Sequence, residues 1–218
     1  MKNKILGVFV FILSAFFFFV VVENKLEGVI FLMGMFYGIV TIFHNKIEKV
    51  FIAKIQRPLL IYGFLVFLGG MLIELTAYIS NIPKIQAGEK VYLFSPNLFQ
   101  DLLIGFPHYV ALGLTWAWLL KRYKLSAFQQ AVLIGLFWGI VVDEFSHFFA
   151  LLSGNMFDFI IAGLLMVYAL NWPLVILQNK IEETYPNRNN RWAKFPVVFL
   201  GQVVPMIVLV ISGILLKR

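Results

Sequence analysis

Cysteine is absent from the 218 residues, which excludes disulfides, thiolate-held metals and thiol nucleophiles together. Charge is scarce: Asp, Glu, Lys and Arg make up 13% of the chain against 61% hydrophobic residues. Acidic residues number 11 against 18 basic ones, and no Lys or Arg falls inside any of the long apolar runs. No serine sits in a nucleophile-elbow pattern and no Gly-rich loop suggests phosphate binding. No polar stretch is long enough for a separate soluble domain, so residues 1–218 read as one domain. There is no internal repeat and no low-complexity linker.

What is present is apolar surface. With 24 Phe and a mean hydropathy of +0.88, the chain carries more apolar area than 218 residues can bury in a core of their own. The bilayer is then its solvent. Seven runs are long enough to span: Ile5 to Val22, Leu26 to Phe43, Pro58 to Ser80, Pro96 to Leu120, Ala127 to Ser153, Asn155 to Gln178 and Phe195 to Leu216. The expectation is an all-α integral membrane protein, a bundle of seven transmembrane helices. The first run follows Lys2 and Lys4 but is followed by Glu23, Asn24 and Lys25 in place of a small-residue cleavage site, so it reads as a retained anchor.

Lys and Arg set the orientation. A cytoplasmic N-terminus puts thirteen of the 18 basic residues inside, among them Lys46, Arg57, Lys121, Lys180, Arg188 and Lys194. Only Lys25, Lys84, Lys90, Lys217 and Arg218 are left outside. That asymmetry predicts the N-terminus in and the C-terminus out, in the plasma membrane of a prokaryote. The net charge of +7 then reflects topology and attraction to anionic lipid, and short basic loops argue against nucleic acid as a partner.

Against this background the stretch VVDEFSHFF, Val141 to Phe149, places Asp143, Glu144 and His147 within five positions of an apolar run. At about 100° per residue they share an arc of about 100°, in the outer half of the fifth helix. Glu74 on the third helix, Asp101 and His108 on the fourth, and Asp158 on the sixth fall at the same depth. Asp101 and Asp158 stand near helix starts, where a carboxylate also suits a capping role. Glu74, Asp143 and Glu144 approach helix C-termini, where the dipole repels an anion, so each needs a proton, a partner or a metal. His44 lies at the cytoplasmic boundary and carries no role.

Two chemistries fit. Glu144 and His147 form Glu-x-x-His, the spacing of carboxylate-bridged metal sites. Asp143, Glu74, His108, Asp101 and Asp158 would complete a shell for zinc, iron or manganese, with Glu144, Asp143 and Glu74 also available for general acid–base work. The rival chemistry is protonic: clustered carboxylates beside histidines make the relays of pumps and transporters. The spacing leaves both open. Among lesser features, Pro107 precedes His108 in the fourth helix; Gly63, Gly69 and Gly70 suit close packing of the third; Trp116, Trp118, Trp172 and Trp192 read as an interfacial belt; and Asn171 with Pro173 predicts a break in the sixth helix.

The order of an Asp-to-His helix (Asp101, His108), an acidic residue with a polar partner three on (Glu144, His147) and a helix opening with Asp (Asp158) resembles the VanZ-like family of small membrane proteins, over about residues 101–165. Position 104 is Ile where that family has Asp, His147 replaces its Gln, and Ala162 and Leu165 replace its Asn and Gly. The resemblance implies a membrane factor linked in some members to glycopeptide resistance. Three functions follow as expectations: a metal-dependent enzyme acting on a lipid or another apolar, lipid-linked substrate; a cation- or proton-coupled transporter; and a non-catalytic VanZ-like resistance or assembly factor. Membrane lipids are partners in all three.

Overall fold

An apolar run in a bilayer finds no water for its N–H and C=O groups, so it satisfies them by becoming a helix. The computed structural model describes residues 2–23, 26–88, 95–137, 156–191 and 194–216. Among these the chain is helical throughout its ordered elements, with one isolated bridge pairing Tyr123 and Asn189. Helix α1 is Lys2–Phe16, extended by a π turn at Phe17–Val21. Helix α2, Phe31–Ile47, is preceded by a 3-10 turn at Glu27–Ile30 and followed by a π turn at Glu48–Ile52. Then come α3 (Pro58–Gln86), α4 (Leu98–Arg122), α5 (Ala127–Phe137), α6 (Met156–Thr184), α7 (Lys194–Gly201) and α8 (Val203–Leu216). Five helical stretches are long and apolar enough to cross a membrane: Lys4–Val21, Gly28–Ile52, Pro58–Gln86, Leu98–Arg122 and Lys194–Leu216. This is the architecture of a multi-pass membrane protein.

Local chemistry explains where the helices begin and end. Pro58 opens α3 at a position that needs no N–H, and Gly88 lies just beyond its end at φ 72°, a conformation a side chain resists. Asn97 caps α4 by accepting from the Gln100 N–H at 3.1 Å. Before α5, Ser126 Oγ accepts from the Gln129 N–H at 3.2 Å, and Gln129 Oε1 accepts from the Ser126 N–H at 3.0 Å. This is a reciprocal capping box. The last helix breaks at Gln202 because Pro205 supplies no N–H to the preceding turn. The buried Gln202 amide donates instead to Leu133 O on α5 at 3.2 Å.

Helices in lipid gain little by burying Leu against Leu, so close backbone approach decides the packing. On the α1–α2 pair, a Cβ at Gly38 would meet Gly7 O at 2.8 Å, and one at Gly34 would meet Ser14 Oγ at 2.1 Å. On the α3–α4 pair, a Cβ at Gly113 would lie 2.4 Å from Gly63 O. α3 and α2 both pack on α6, α5 packs on α6, and α8 packs on α4. Outward faces remain apolar: Phe19, Phe51, Phe99 and Phe128 are each more than 60% exposed, as lipid-facing residues can be.

Two expectations fail here. Trp116 is fully buried and Trp172 nearly so, so neither belongs to an interfacial belt; a uniformly apolar helix hides which of its faces turns inward. Trp118 does fit the belt, 46% exposed with the Arg122 guanidinium 4.3 Å over its ring. Helix α6 also runs unbroken through Asn171 and Pro173. Asn171 donates to Ala127 O at 2.8 Å and to Gln130 Oε1 at 2.9 Å, and such neighbouring polar groups are what let a proline sit inside a spanning helix.

Candidate functional site

The loops rich in Lys and Arg gather at one end of the bundle. The Asn189 N–H donates to Arg122 O at 2.8 Å and Lys194 Nζ to Lys124 O at 2.6 Å, while Asn179 binds Glu48 at 2.8 Å. Nearer the other end, where Gln100 Nε2 donates to Leu216 O at 3.1 Å, the polar side chains of α3 and α4 meet.

The meeting starts from a missing side chain. A Cβ at Gly70 would fall 2.0 Å from Tyr109 Cδ1, so the Tyr109 ring rests directly on the α3 backbone. One turn further along the same face stands Glu74, and the Tyr109 hydroxyl donates to Glu74 Oε1. Glu74 in turn lies within electrostatic reach of Asp101. Asp101, fully buried in the first turn of α4, accepts from the Ser95 N–H at 2.9 Å. Ser95 Oγ donates to Gln100 Oε1 at 2.7 Å, which fixes the segment that leads into α4. Beside this chain, His108 stands edge-on to the Tyr109 ring, centroids 4.9 Å apart, with Nδ1 2.9 Å from Pro205 O on α8. The nitrogen at that distance donates, since a carbonyl oxygen only accepts.

Of the seven candidate ligands, Glu74 and Asp101 come together, Asp101 lying in the first turn of α4 while Asn97 supplies the cap. His108 shares the neighbourhood through Tyr109, but among the described residues no three His, Asp or Glu side chains close into a metal shell. A divalent ion at the carboxyl pair would have two protein donors among the described residues, one short of the three protein ligands of a catalytic zinc site. Asp158 falls in the first turn of α6. Asp143, Glu144 and His147 lie outside the described residues.

A second polar layer, towards the basic end, escaped the sequence reading. Gln130 Nε2 donates to the Tyr62 hydroxyl. Asn171 Nδ2 donates to Gln130 Oε1, and the Tyr37 hydroxyl donates to Asn171 Oδ1 at 3.2 Å. One connected set thus ties α2, α3, α5 and α6. None of its members is ionisable near neutrality, so a search for charge passes over it. Tyr109 was missed for the same reason. The available signal was a phenol in the middle of an apolar run, which requires an acceptor in the bundle.

No protein-family model, no curated protein and no solved structure matches this chain.

Proposed function

We propose that the chain is a seven-span, proton-coupled transporter of the cytoplasmic membrane, oriented N-terminus in and C-terminus out, with the Glu74–Asp101 pair as its proton-binding element. The observation that supports this reading is the juxtaposition of two buried carboxyl groups on neighbouring helices, each within electrostatic reach of the other. Two carboxyls so placed favour holding one proton, because two anions repel. Glu74 also accepts from Tyr109 and Asp101 from the Ser95 N–H, so the pair keeps its geometry whichever oxygen holds the proton. A protonatable pair with no Lys or Arg inside the same spans is the kind of group transporters load and unload.

The test is infrared difference spectroscopy on protein in liposomes, taken between acidic and alkaline buffer. A protonated-carboxyl C=O band that shifts in D2O should appear in the wild type, vanish in Glu74→Gln and move in Asp101→Asn. Proton uptake into the same liposomes under an imposed potassium diffusion potential should fall in both variants. Absence of the band and of uptake would end the transporter reading. Co-purification of zinc, iron or manganese at one ion per chain, lost on Glu74→Gln, would replace it with the metal-dependent enzyme acting on a membrane-dissolved substrate.

A further inference from the structure

On the lipid-facing side of the α3–α4 pair runs a groove of about 520 Å³, within the roughly 300–1,000 Å³ of small-molecule sites. Its existence follows from Gly63 and Gly113. Because the two backbones touch there, no side chain fills the seam, and the floor is glycine backbone with Ala117 beside it. The walls are large and apolar: Leu60, Phe64, Leu114 and Trp118 are 46–66% exposed around it. Along α3 the lining runs from Leu59 to Phe67, about 12 Å at 1.5 Å per residue. Lys121, also in the lining, is exposed at the end where the basic loops gather. The guanidinium of Arg122, next in the chain, lies over the Trp118 ring.

An elongated apolar trough that ends on a lysine matches a molecule with an apolar tail and an anionic head. We infer that the groove holds one acyl chain of an anionic phospholipid, its phosphate paired with Lys121 and the chain lying over Gly63. Charge complementarity selects the occupant. A zwitterionic lipid satisfies the walls as well, but its choline cation offsets the phosphate charge that faces the ammonium, and a transmembrane helix needs a wider seat than this trough between two helices already in contact. The site is separate from the carboxyl pair and stands or falls independently of transport.

The experiment compares phosphatidylglycerol with phosphatidylcholine. Native mass spectrometry after detergent exchange should find phosphatidylglycerol retained on the wild type in preference to phosphatidylcholine. Lys121→Gln should lower that retention about fivefold, the share of one lysine at a membrane surface. Ala117→Phe should abolish it by filling the trough, with an unchanged melting transition confirming the fold. Acyl-brominated phosphatidylglycerol in liposomes should quench Trp118 fluorescence, identified by difference from Trp118→Phe, more than brominated phosphatidylcholine does. Equal retention of the two lipids, no change in Lys121→Gln, or equal quenching by the two brominated lipids would each overturn the assignment.

Discussion

Tyr109 on α4 reaches across to Glu74 on α3 because Gly70, one turn before Glu74 on the same face, leaves room for its ring. A packing contact and a polar contact are thus made by one side chain, and the position of the carboxyl depends on a glycine that never touches it. Gly70→Ala should therefore act on both. Its Cβ would overlap the ring at 2.0 Å, so the ring must move, at about 1–3 kcal/mol for overpacking. Unfolding of the variant in detergent should show that loss. Gly213→Ala is the control, since nothing lies within 4 Å of the added methyl, and it should be neutral or slightly stabilising.

Tyr109→Phe keeps the ring and removes only the donor. Polar contacts between spanning helices average about 0.6 kcal/mol and reach about 1.7, so the stability loss should be smaller than in Gly70→Ala. The infrared carboxyl band should nevertheless shift, because Glu74 loses a donor at Oε1. A loss of stability equal to that of Gly70→Ala would mean the hydrogen bond, not the ring, holds the two helices together.

Much of the architecture was legible because the bilayer leaves an apolar run little choice: the starts of the apolar segments at Pro58, Ala127 and Asn155 fall within a residue of α3, α5 and α6. Ends were less legible. The apolar run from Leu26 stops counting at Phe43, yet helical structure continues to Ile52 through a π turn, since helix hydrogen bonds do not end where hydropathy does. Glu74 and Asp101 were placed at a shared depth from charge alone, and both are buried on neighbouring helices. Their partner Tyr109, and the Tyr62–Gln130–Asn171–Tyr37 set, carry no charge to betray them. The buried Trp116 shows the converse limit: nothing in an all-apolar helix distinguishes the face that meets lipid from the face that meets protein.

The second polar layer should be structural. Asn171→Leu removes donors to Ala127 O and Gln130 Oε1 and the acceptor for Tyr37, leaving buried polar groups unsatisfied at about 1–3 kcal/mol each. Melting in detergent should drop accordingly, while the infrared carboxyl band stays in place. A shift in that band would join the two layers into one network.

Arg188 connects the basic loop to α4. Its side chain is 3% exposed, 4.0 Å from Glu182, and its Nη1 donates to Leu120 O at 3.2 Å in the last turn of α4. Burial lowers its proton affinity and Glu182 raises it; arginine stays charged in either case. Arg188→Ala should cost about 1–2 kcal/mol, through an uncapped helix end and an unpaired carbonyl. Arg188→Lys should recover only part, since an ammonium lacks the fork that also reaches Tyr185 O at 3.0 Å. Full recovery by lysine would reduce the role of Arg188 to charge alone.

If the carboxyl pair carries protons, orientation decides which side loads it, and the chain's lack of cysteine makes orientation directly measurable. Gln86 is exposed at the end of α3, nearer the carboxyl pair, and Asn189 is exposed in the basic loop. With the basic loops held inside by the positive-inside rule, Gln86→Cys in intact cells should react with an impermeant maleimide, and Asn189→Cys should react only after lysis. Reversed labelling would put the basic loops outside, and protons would then reach Glu74 and Asp101 from the cytoplasm. The Lys121 groove would at the same time open to the outer leaflet, away from the anionic surface that favours its phosphate. A single labelling pattern therefore bears on the direction of proton loading and on the leaflet from which the lipid is drawn.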